Sequence, residues 1–312
     1  MRHFSSYKQV NLQDAWLTIG AFDGVHLGHQ AIIRNLTAGA HARGEPAVVL
    51  TFHPHPAVVL GKLKDCLCLT TPEDKADLLG QLGVDMVITQ PFDLELAALS
   101  AREFLADLLR TLKMRQLWVG YDFALGRERQ GTVNVLRNLG EEFGYQLHVF
   151  QPVQVDGETV SSSQIRALLG EGEVKKANRL LDRPYAVSGE VVHGDGRGKS
   201  IGFPTANLAV WSDLVLPKNG IYVCHAWLDG AAHQAVVNVG TRPTFDQEAV
   251  VPRVEAYLLD LNRDLYGQRL RLEFLERLRD EVRFASVEAL IEQIKLDVMH
   301  ARQYLLNPPA SA

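Results

Sequence analysis

The chain of 312 residues is 46% hydrophobic and 22% charged, with a formal net charge of −5. That length supports two compact domains with cores of their own, and with no dense Lys/Arg block nucleic acid is disfavoured as the main partner. Three cysteines, Cys66, Cys68 and Cys224, make neither a disulfide framework nor a paired metal-ligand pattern, and no apolar segment approaches the roughly 18 residues of a membrane span, so a soluble cytoplasmic protein is expected.

The first predicted strand, Trp16 to Ile19, runs into Gly20-Ala21-Phe22-Asp23-Gly24-Val25-His26-Leu27-Gly28-His29, and an amphipathic stretch begins at Gln30. Strand, glycine-punctuated turn and helix start make a natural anion site, because the first helical N–H groups and the helix dipole both favour phosphate. His26 and His29 stand where they can donate to phosphate oxygens, and Gly28 keeps the backbone close to a ligand. The same residues also fit an ordinary turn with Asp23 as helix cap and two incidental histidines.

Further strands are expected at Ala47 to Phe52, Asp85 to Thr89, Gln116 to Gly120 and Tyr145 to Phe150, alternating with helices. Thr71-Pro72-Glu73-Asp74 starts one helix and the capping box Ser100-Ala101-Arg102-Glu103 another. Alternation of this kind predicts a parallel, doubly wound sheet with ligands beyond the carboxyl ends of its strands. At those ends fall Thr51-Phe52-His53-Pro54-His55-Pro56, whose prolines predict a stiff loop that neither continues the sheet nor begins a helix, and Gly120-Tyr121-Asp122-Phe123-Ala124-Leu125-Gly126-Arg127. The H-x-H pair in the first loop lacks further metal ligands nearby. Val160-Ser161-Ser162-Ser163-Gln164-Ile165-Arg166 opens another helix, most simply as its N-cap; Val174 to Leu181 forms the last, and Asp182-Arg183-Pro184 reads as the linker between domains 1–182 and 183–312.

Beyond the linker, strands are expected at Tyr185 to Val192, Ile221 to Leu228, His233 to Val239, Val254 to Leu259 and Leu270 to Leu275, with Asp229-Gly230 a hairpin turn; a small antiparallel β-barrel follows. A helix from Val287 to Ala301, capped by Ser286, should pack on it through Val287, Leu290, Ile291, Ile294 and Val298. Gly194-Asp195-Gly196-Arg197-Gly198-Lys199-Ser200 is one residue short of a P-loop, yet its backbone N–H groups can still surround phosphate. In Gly202-Phe203-Pro204-Thr205-Ala206-Asn207 the last four residues read as a turn with a self-capping Asn, and the oxygens of Thr205 and Asn207 also suit Mg²⁺. Glu255 alternates with Val254 and Ala256 and shares a face with Tyr257 and Leu259, which points to a polar site at the barrel wall or to an edge strand facing water; spacing alone favours the solvated reading.

The full G-x-F-D-G-V-H-x-G-H stretch resembles the nucleotidyltransferase superfamily, and within it the N-terminal half of bacterial bifunctional riboflavin kinase/FAD synthetases. G-F-P-T-A-N, the preceding G-x-G-R-G, Val237-Asn238-Val239-Gly240-Thr241-Arg242-Pro243-Thr244-Phe245 and Val254-Glu255-Ala256-Tyr257-Leu258-Leu259-Asp260 resemble flavokinases. Fold and function follow as implications of the likeness: a Rossmann-like nucleotidyltransferase domain making FAD from FMN and ATP, then a riboflavin kinase-like barrel making FMN from riboflavin and ATP. The likeness implies His26 and His29 as catalytic, and Gly20, Phe22, Asp23, Gly28, Ser162 and Arg166 as ATP-binding. It implies Pro54, His55, Pro56 and Asp122 at the flavin, although His53 replaces the usual acidic residue and Leu125 the usual aromatic. In the barrel it implies Gly196, Gly198 and Lys199 at the nucleotide, Thr205 and Asn207 at Mg²⁺, and Glu255 as general base for the riboflavin 5′-hydroxyl. The expected partners are these small molecules, with neither nucleic acid nor membrane. Two rival classes are a kinase with a decayed adenylyltransferase half, disfavoured by the intact histidines, Ser162 and Arg166, and a flavin-binding regulator without turnover, disfavoured by Thr205, Asn207 and Glu255.

Overall fold

The computed structural model describes residues 1–61, 68–194, 196–243 and 250–307; Cys66, Asp195, Thr244, Phe245 and the tail from residue 308 lie outside them. Contacts divide the chain into two units, Met1–Ser162 and Ser163–Ala312.

In the first unit β1 (Arg2–Phe4), β2 (Trp16–Ile19), α1 (Leu27–His41), β3 (Ala47–His53), α2 (Pro56–Val59), α3 (Pro72–Gln81) and β4 (Met86–Pro91) come first. Then follow α4 (Leu94–Ala98), α5 (Ala101–Leu112), β5 (Gln116–Gly120), the short ribbon of β6 (Ala124–Leu125) and β7 (Gly131–Thr132), α6 (Val133–Phe143) and β8 (Gln146–Phe150). The main sheet has the order β1-β4-β3-β2-β5-β8, with every pairing parallel. From β2 the chain moves outward through β3 and β4, then returns to the other side of β2 with β5. Strand order therefore reverses between β2 and β5, where an open α/β sheet leaves a crevice for ligands at the carboxyl ends.

Leu17, Val48, Leu50 and Leu117 are fully buried, as strands covered on both faces require. The predicted helix starts are present: Thr71 Oγ1 accepts from Asp74 N at 3.0 Å, and Ser100 and Glu103 form the reciprocal capping box. Two features differ from expectation. Arg2-His3-Phe4 forms an edge strand despite its polarity, because parallel pairing with Met86 to Ile88 satisfies its backbone. Pro56 does begin a helix, occupying its first turn, where no N–H is needed, while His55 Nδ1 accepts from Ala57 N at 3.2 Å.

A ribbon of β9 (Gln154–Val155) and β10 (Glu158–Thr159) precedes α7 (Ser162–Glu171) and α8 (Val174–Leu181). The second unit continues with β11 (Tyr185–Val192), α9 (Arg197–Ser200), β12 (Ala206–Val210), β13 (Gly220–Leu228), β14 (Ala231–Pro243), β15 (Val250–Leu258), β16 (Arg269–Arg279) and α10 (Val287–Leu306). Six strands close an antiparallel barrel in the order β11-β12-β15-β14-β13-β16. Asp229 and Gly230 both take left-handed φ angles, 50° and 81°, as the hairpin turn demands. β12 was not expected, because its first residues lie in the Pro-Thr-Ala-Asn stretch that reads as a turn. Asn178 ties α8 to the barrel, accepting from Tyr185 N at 2.7 Å and donating to the Phe274 carbonyl at 2.8 Å. Ser286 caps α10 as expected, but Val287 is exposed; Ala301 is the buried apolar contact, with Val298, Tyr304 and Leu305 packed against Ile221, Val223 and Val236.

Gly39 in α1 lies against the indole of Trp16, which stacks on Trp118 at 6.0 Å, and a Cβ there would run into the ring. Helix propensity alone favours alanine by about 1 kcal/mol, whereas overpacking costs about 1–3 kcal/mol. Gly39→Ala should therefore lower the unfolding temperature of the first unit in calorimetry; a variant as stable as the natural protein would contradict this packing.

Candidate active sites

The turn after β2 is held in an unusual backbone. Phe22 and Val25 have φ of 47° and 42°, and Gly24 has 80°. A β-branched residue in the left-handed region is strained by roughly 1–3 kcal/mol and persists only where its surroundings enforce it. Here they do. The Ala21 carbonyl accepts from Lys75 Nζ at 2.8 Å and Thr51 Oγ1 at 2.9 Å, the Asp23 carbonyl from Ser162 Oγ at 2.9 Å, and the Val25 carbonyl from Gln30 Nε2 at 3.1 Å.

Asp23 is buried, and its carboxylate accepts from Leu69 N at 2.9 and 3.0 Å and from Thr70 N at 3.3 Å. It therefore clamps the turn to the chain entering α3 and is not a helix cap. The N-cap of α1 is His26, whose side chain makes no capping bond. Its ring instead stacks on His29, with centroids 3.6 Å apart, and His29 meets Phe22 edge-on at 5.2 Å. Gly28 permits this arrangement, since a Cβ there would lie 3.1 Å from His26 Cε1. Two imidazoles are thus fixed at a helix start with the turn carbonyls bonded to protein, a geometry suited to phosphate. Ser162 joins this turn directly, while Arg166 lies in the first turns of α7 and is counted with the second unit.

Beside the turn, over the carboxyl ends of β2 to β5, opens a cavity of about 500 Å³. Gly20, His55, Pro56 and Asp122 line it, as do Phe52, Phe92 and Phe104; Pro54 does not. Phe52 and Phe92 form an edge-to-face pair at 5.5 Å. These phenylalanines were missed in the sequence, although aromatics at the ends of β3 and β4 were the available signal.

In the barrel, strand register makes the site. Asn207 on β12 pairs with Glu255 on β15, and Glu255 with Asn238 on β14, so three polar residues form one row. Val254, Ala256 and Leu258 fill the barrel interior, while Arg253, Glu255 and Tyr257 line a second cavity of about 370 Å³. With β15 paired on both sides and the Glu255 side chain only 19% exposed, the solvated reading of Glu255 does not hold. Phe203 meets Tyr257 edge-on at 5.5 Å, and Ile294 of α10 adds apolar wall. Buried Asp297 fixes α10 there, accepting from Arg279 Nε at 2.9 Å and Nη2 at 2.6 Å.

Thr205 lines this cavity and also a third, of about 310 Å³, bounded by Arg263, Asp264 and Tyr266; the Tyr266 ring lies 3.8 Å from that of His193. Tyr266 was not singled out from the sequence. Gly196 and Gly198 border the second cavity; the side chain of Lys199 lies outside the described residues. The cradle is close-fitting: a Cβ on Gly198 would run into the Phe203 carbonyl and lie 3.2 Å from Thr205 Oγ1, and one on Gly194 would collide with the Asn207 amide. Thr205 and Asn207 offer two neutral oxygens, which fit a hard cation completed by phosphate and water. Among the described residues no cluster of His, Cys, Asp or Glu could hold a metal ion, and burial pushes the Cys224 thiol well above its ordinary range, leaving it inert.

The sequence profile of FAD synthetase matches residues 8–164 and that of riboflavin kinase residues 181–305. The bifunctional riboflavin kinase/FMN adenylyltransferase of Bacillus subtilis is 36% identical over 294 residues, covering 93% of this chain and 92% of its own. The chain belongs to the bifunctional riboflavin kinase/FMN adenylyltransferase family. Another family member, from Escherichia coli K12, is 36% identical over 313 residues, covering 99% of both chains. A crystal structure described as a macrolide-efflux protein from Streptococcus pneumoniae matches with a TM-score of 0.87 and 30% identity, over 96% of this chain and 98% of that one. Among the described residues no helix is long and apolar enough to cross a membrane.

Asp23→Ala should act first on stability, because it orphans the buried amides of Leu69 and Thr70. A loss of about 2–5 kcal/mol is expected in denaturant unfolding. Unchanged stability with weakened ATP binding would instead make Asp23 a direct ATP contact.

Proposed function

We infer that the protein makes FAD in two steps on two sites. The second unit transfers the γ-phosphate of ATP to riboflavin, giving FMN and ADP; the first transfers AMP from a second ATP to FMN, giving FAD and pyrophosphate. The observation that carries this reading is that each unit joins an apolar-walled cavity, of a size ordinary for small-ligand sites, to its own glycine-punctuated turn.

In the kinase half, Thr205 stands between the two cavities. We assign the flavin ring to the apolar one, between Phe203, Tyr257 and Ile294, and the nucleotide to the polar one beside Tyr266, its phosphates reaching past Thr205 to Gly196, Gly198 and Lys199 where the two cavities meet. The riboflavin 5′-oxygen attacks the γ-phosphorus, its proton passes to Glu255, and ADP leaves. Thr205 and Asn207 would hold Mg²⁺, which when bound neutralises charge on the transferred group.

Adenylyl transfer asks less of the protein. The FMN phosphate, with a second pKa near 6, is already largely ionised and attacks the α-phosphorus without a base. His26 and His29 donate to phosphate oxygens on the turn shaped by Gly20, Phe22, Asp23 and Gly28, and His55, Pro56 and Asp122 bound the flavin, with Pro54 setting the course of their loop. We also assign Ser162 and Arg166 to the ATP phosphates. A functional boundary at 182/183 keeps both with this half, although contacts group α7 and α8 with the barrel. A cytoplasmic setting suits enzymes that depend on ATP.

Two assays on one preparation test the division, riboflavin to FMN and FMN to FAD. His29→Ala should slow FAD formation about 100- to 1,000-fold and spare riboflavin phosphorylation. Glu255→Gln should do the reverse, lowering kinase turnover about 100- to 10,000-fold while supplied FMN is still adenylylated. If either variant impairs both reactions equally, the two-site assignment fails.

A further inference from the structure

We propose that Arg253 is a positioning residue of the kinase site, a resident cation that spans Asn207 and Glu255 and gives way when Mg²⁺ and nucleotide bind. The inference rests on the kinase-site reading above and adds a residue to it.

Period-two alternation along β15 sends Arg253 to the same cavity-facing side as Glu255. Its guanidinium donates from Nε to Asn207 Oδ1 at 3.2 Å and from Nη2 to Glu255 Oε1 at 2.6 Å. One rigid fork therefore engages a neutral oxygen and a carboxylate oxygen at once, which a lysine ammonium on a flexible stem does far less well. The pair is partly buried, with side chains 30% and 19% exposed, so solvent screens it less than a surface ion pair.

These two oxygens are the ones the transfer reaction needs. Glu255 must receive a hydroxyl proton, yet Oε1 already accepts a charged N–H. Asn207 Oδ1 must face a divalent cation, yet it already faces a monovalent one. Two cations sharing one neutral oxygen repel each other, so guanidinium and metal compete for this place. A competing internal cation lowers the apparent affinity for the external one by the fraction of molecules in which the latch is open. The latch holds the amide and the carboxylate at a fixed separation before nucleotide arrives, and Mg²⁺ with nucleotide releases Glu255 as it displaces the arginine. An arginine that instead stayed to bind the nucleotide phosphates would have the opposite effect on affinity, and the sign decides.

The test is calorimetric titration of the full-length protein with Mg²⁺·ADP, the kinase site being identified as the binding event lost in Asn207→Leu. Arg253→Ala should tighten that event about fivefold, and Arg253→Lys, which keeps the charge but not the fork, should tighten it less. Weaker or unchanged binding in either folded variant overturns the proposal, and the lysine variant alone decides if the alanine variant does not fold. A merely structural arginine would not tighten binding on removal. If Asn207→Leu loses no binding event, the kinase-site reading itself fails; if it loses one and the arginine variants do not tighten it, only this inference fails.

Discussion

The first unit depends on side chains bonding the turn after β2 in a strained shape. Left-handed backbone at Phe22 and Val25 costs free energy that local sequence cannot offset. The offset comes from a polar network with low solvent exposure, where hydrogen bonds are strong and unmade ones are costly. Lys75 and Thr51 hold the Ala21 carbonyl, Asp23 takes the amides of Leu69 and Thr70, and Ser162 holds the Asp23 carbonyl. With these carbonyls bonded inward, the helix start and its two stacked imidazoles have a geometry suited to an anion. The turn follows β2, next to the strand-order reversal, so the same constraint sets it beside the cavity of about 500 Å³ over the strand ends.

The barrel reaches its chemistry by another route. No strained turn carries Glu255; antiparallel register does, lining it up with Asn207 and Asn238 on neighbouring strands. Register is robust, because a slip of one residue would send Val254 and Ala256 outward and Glu255 into the apolar interior. The two halves thus match the different demands of their reactions. Phosphorylating a hydroxyl needs a base held in place, the role proposed for Glu255, and a strand fixes such a residue well. Attack by a phosphate needs charge neutralised around it, the role proposed for the helix-start amides and imidazoles.

Much of this was legible in the sequence wherever the signal was local. The alternating strands and helices, the capping box at Ser100, the Asp229-Gly230 hairpin and the Ser286 cap depend on residues a few positions apart, and all are present. What escaped depends on distant partners. Asp23 reads as a helix cap until its partners, 46 and 47 residues away, are seen. Asn207 reads as a turn residue, but pairing with β11 and β15 overrides that preference and makes it part of β12. Glu255 looks solvated because alternation gives a face and not what covers it. The Arg253 bridge to Asn207 spans 46 positions and has no sequence signature at all.

The central claim is that one chain performs two phosphorus-transfer reactions in series, with different phosphorus atoms of ATP attacked in each. The most direct measurement supplies riboflavin with ATP labelled separately at its α- and γ-phosphorus, and follows the label into each flavin product. The account predicts that FMN carries only γ-label and that FAD carries both. ADP should equal FMN and FAD together, and pyrophosphate should equal FAD alone. FAD without γ-label, or FMN that accumulates with no pyrophosphate released, would contradict it.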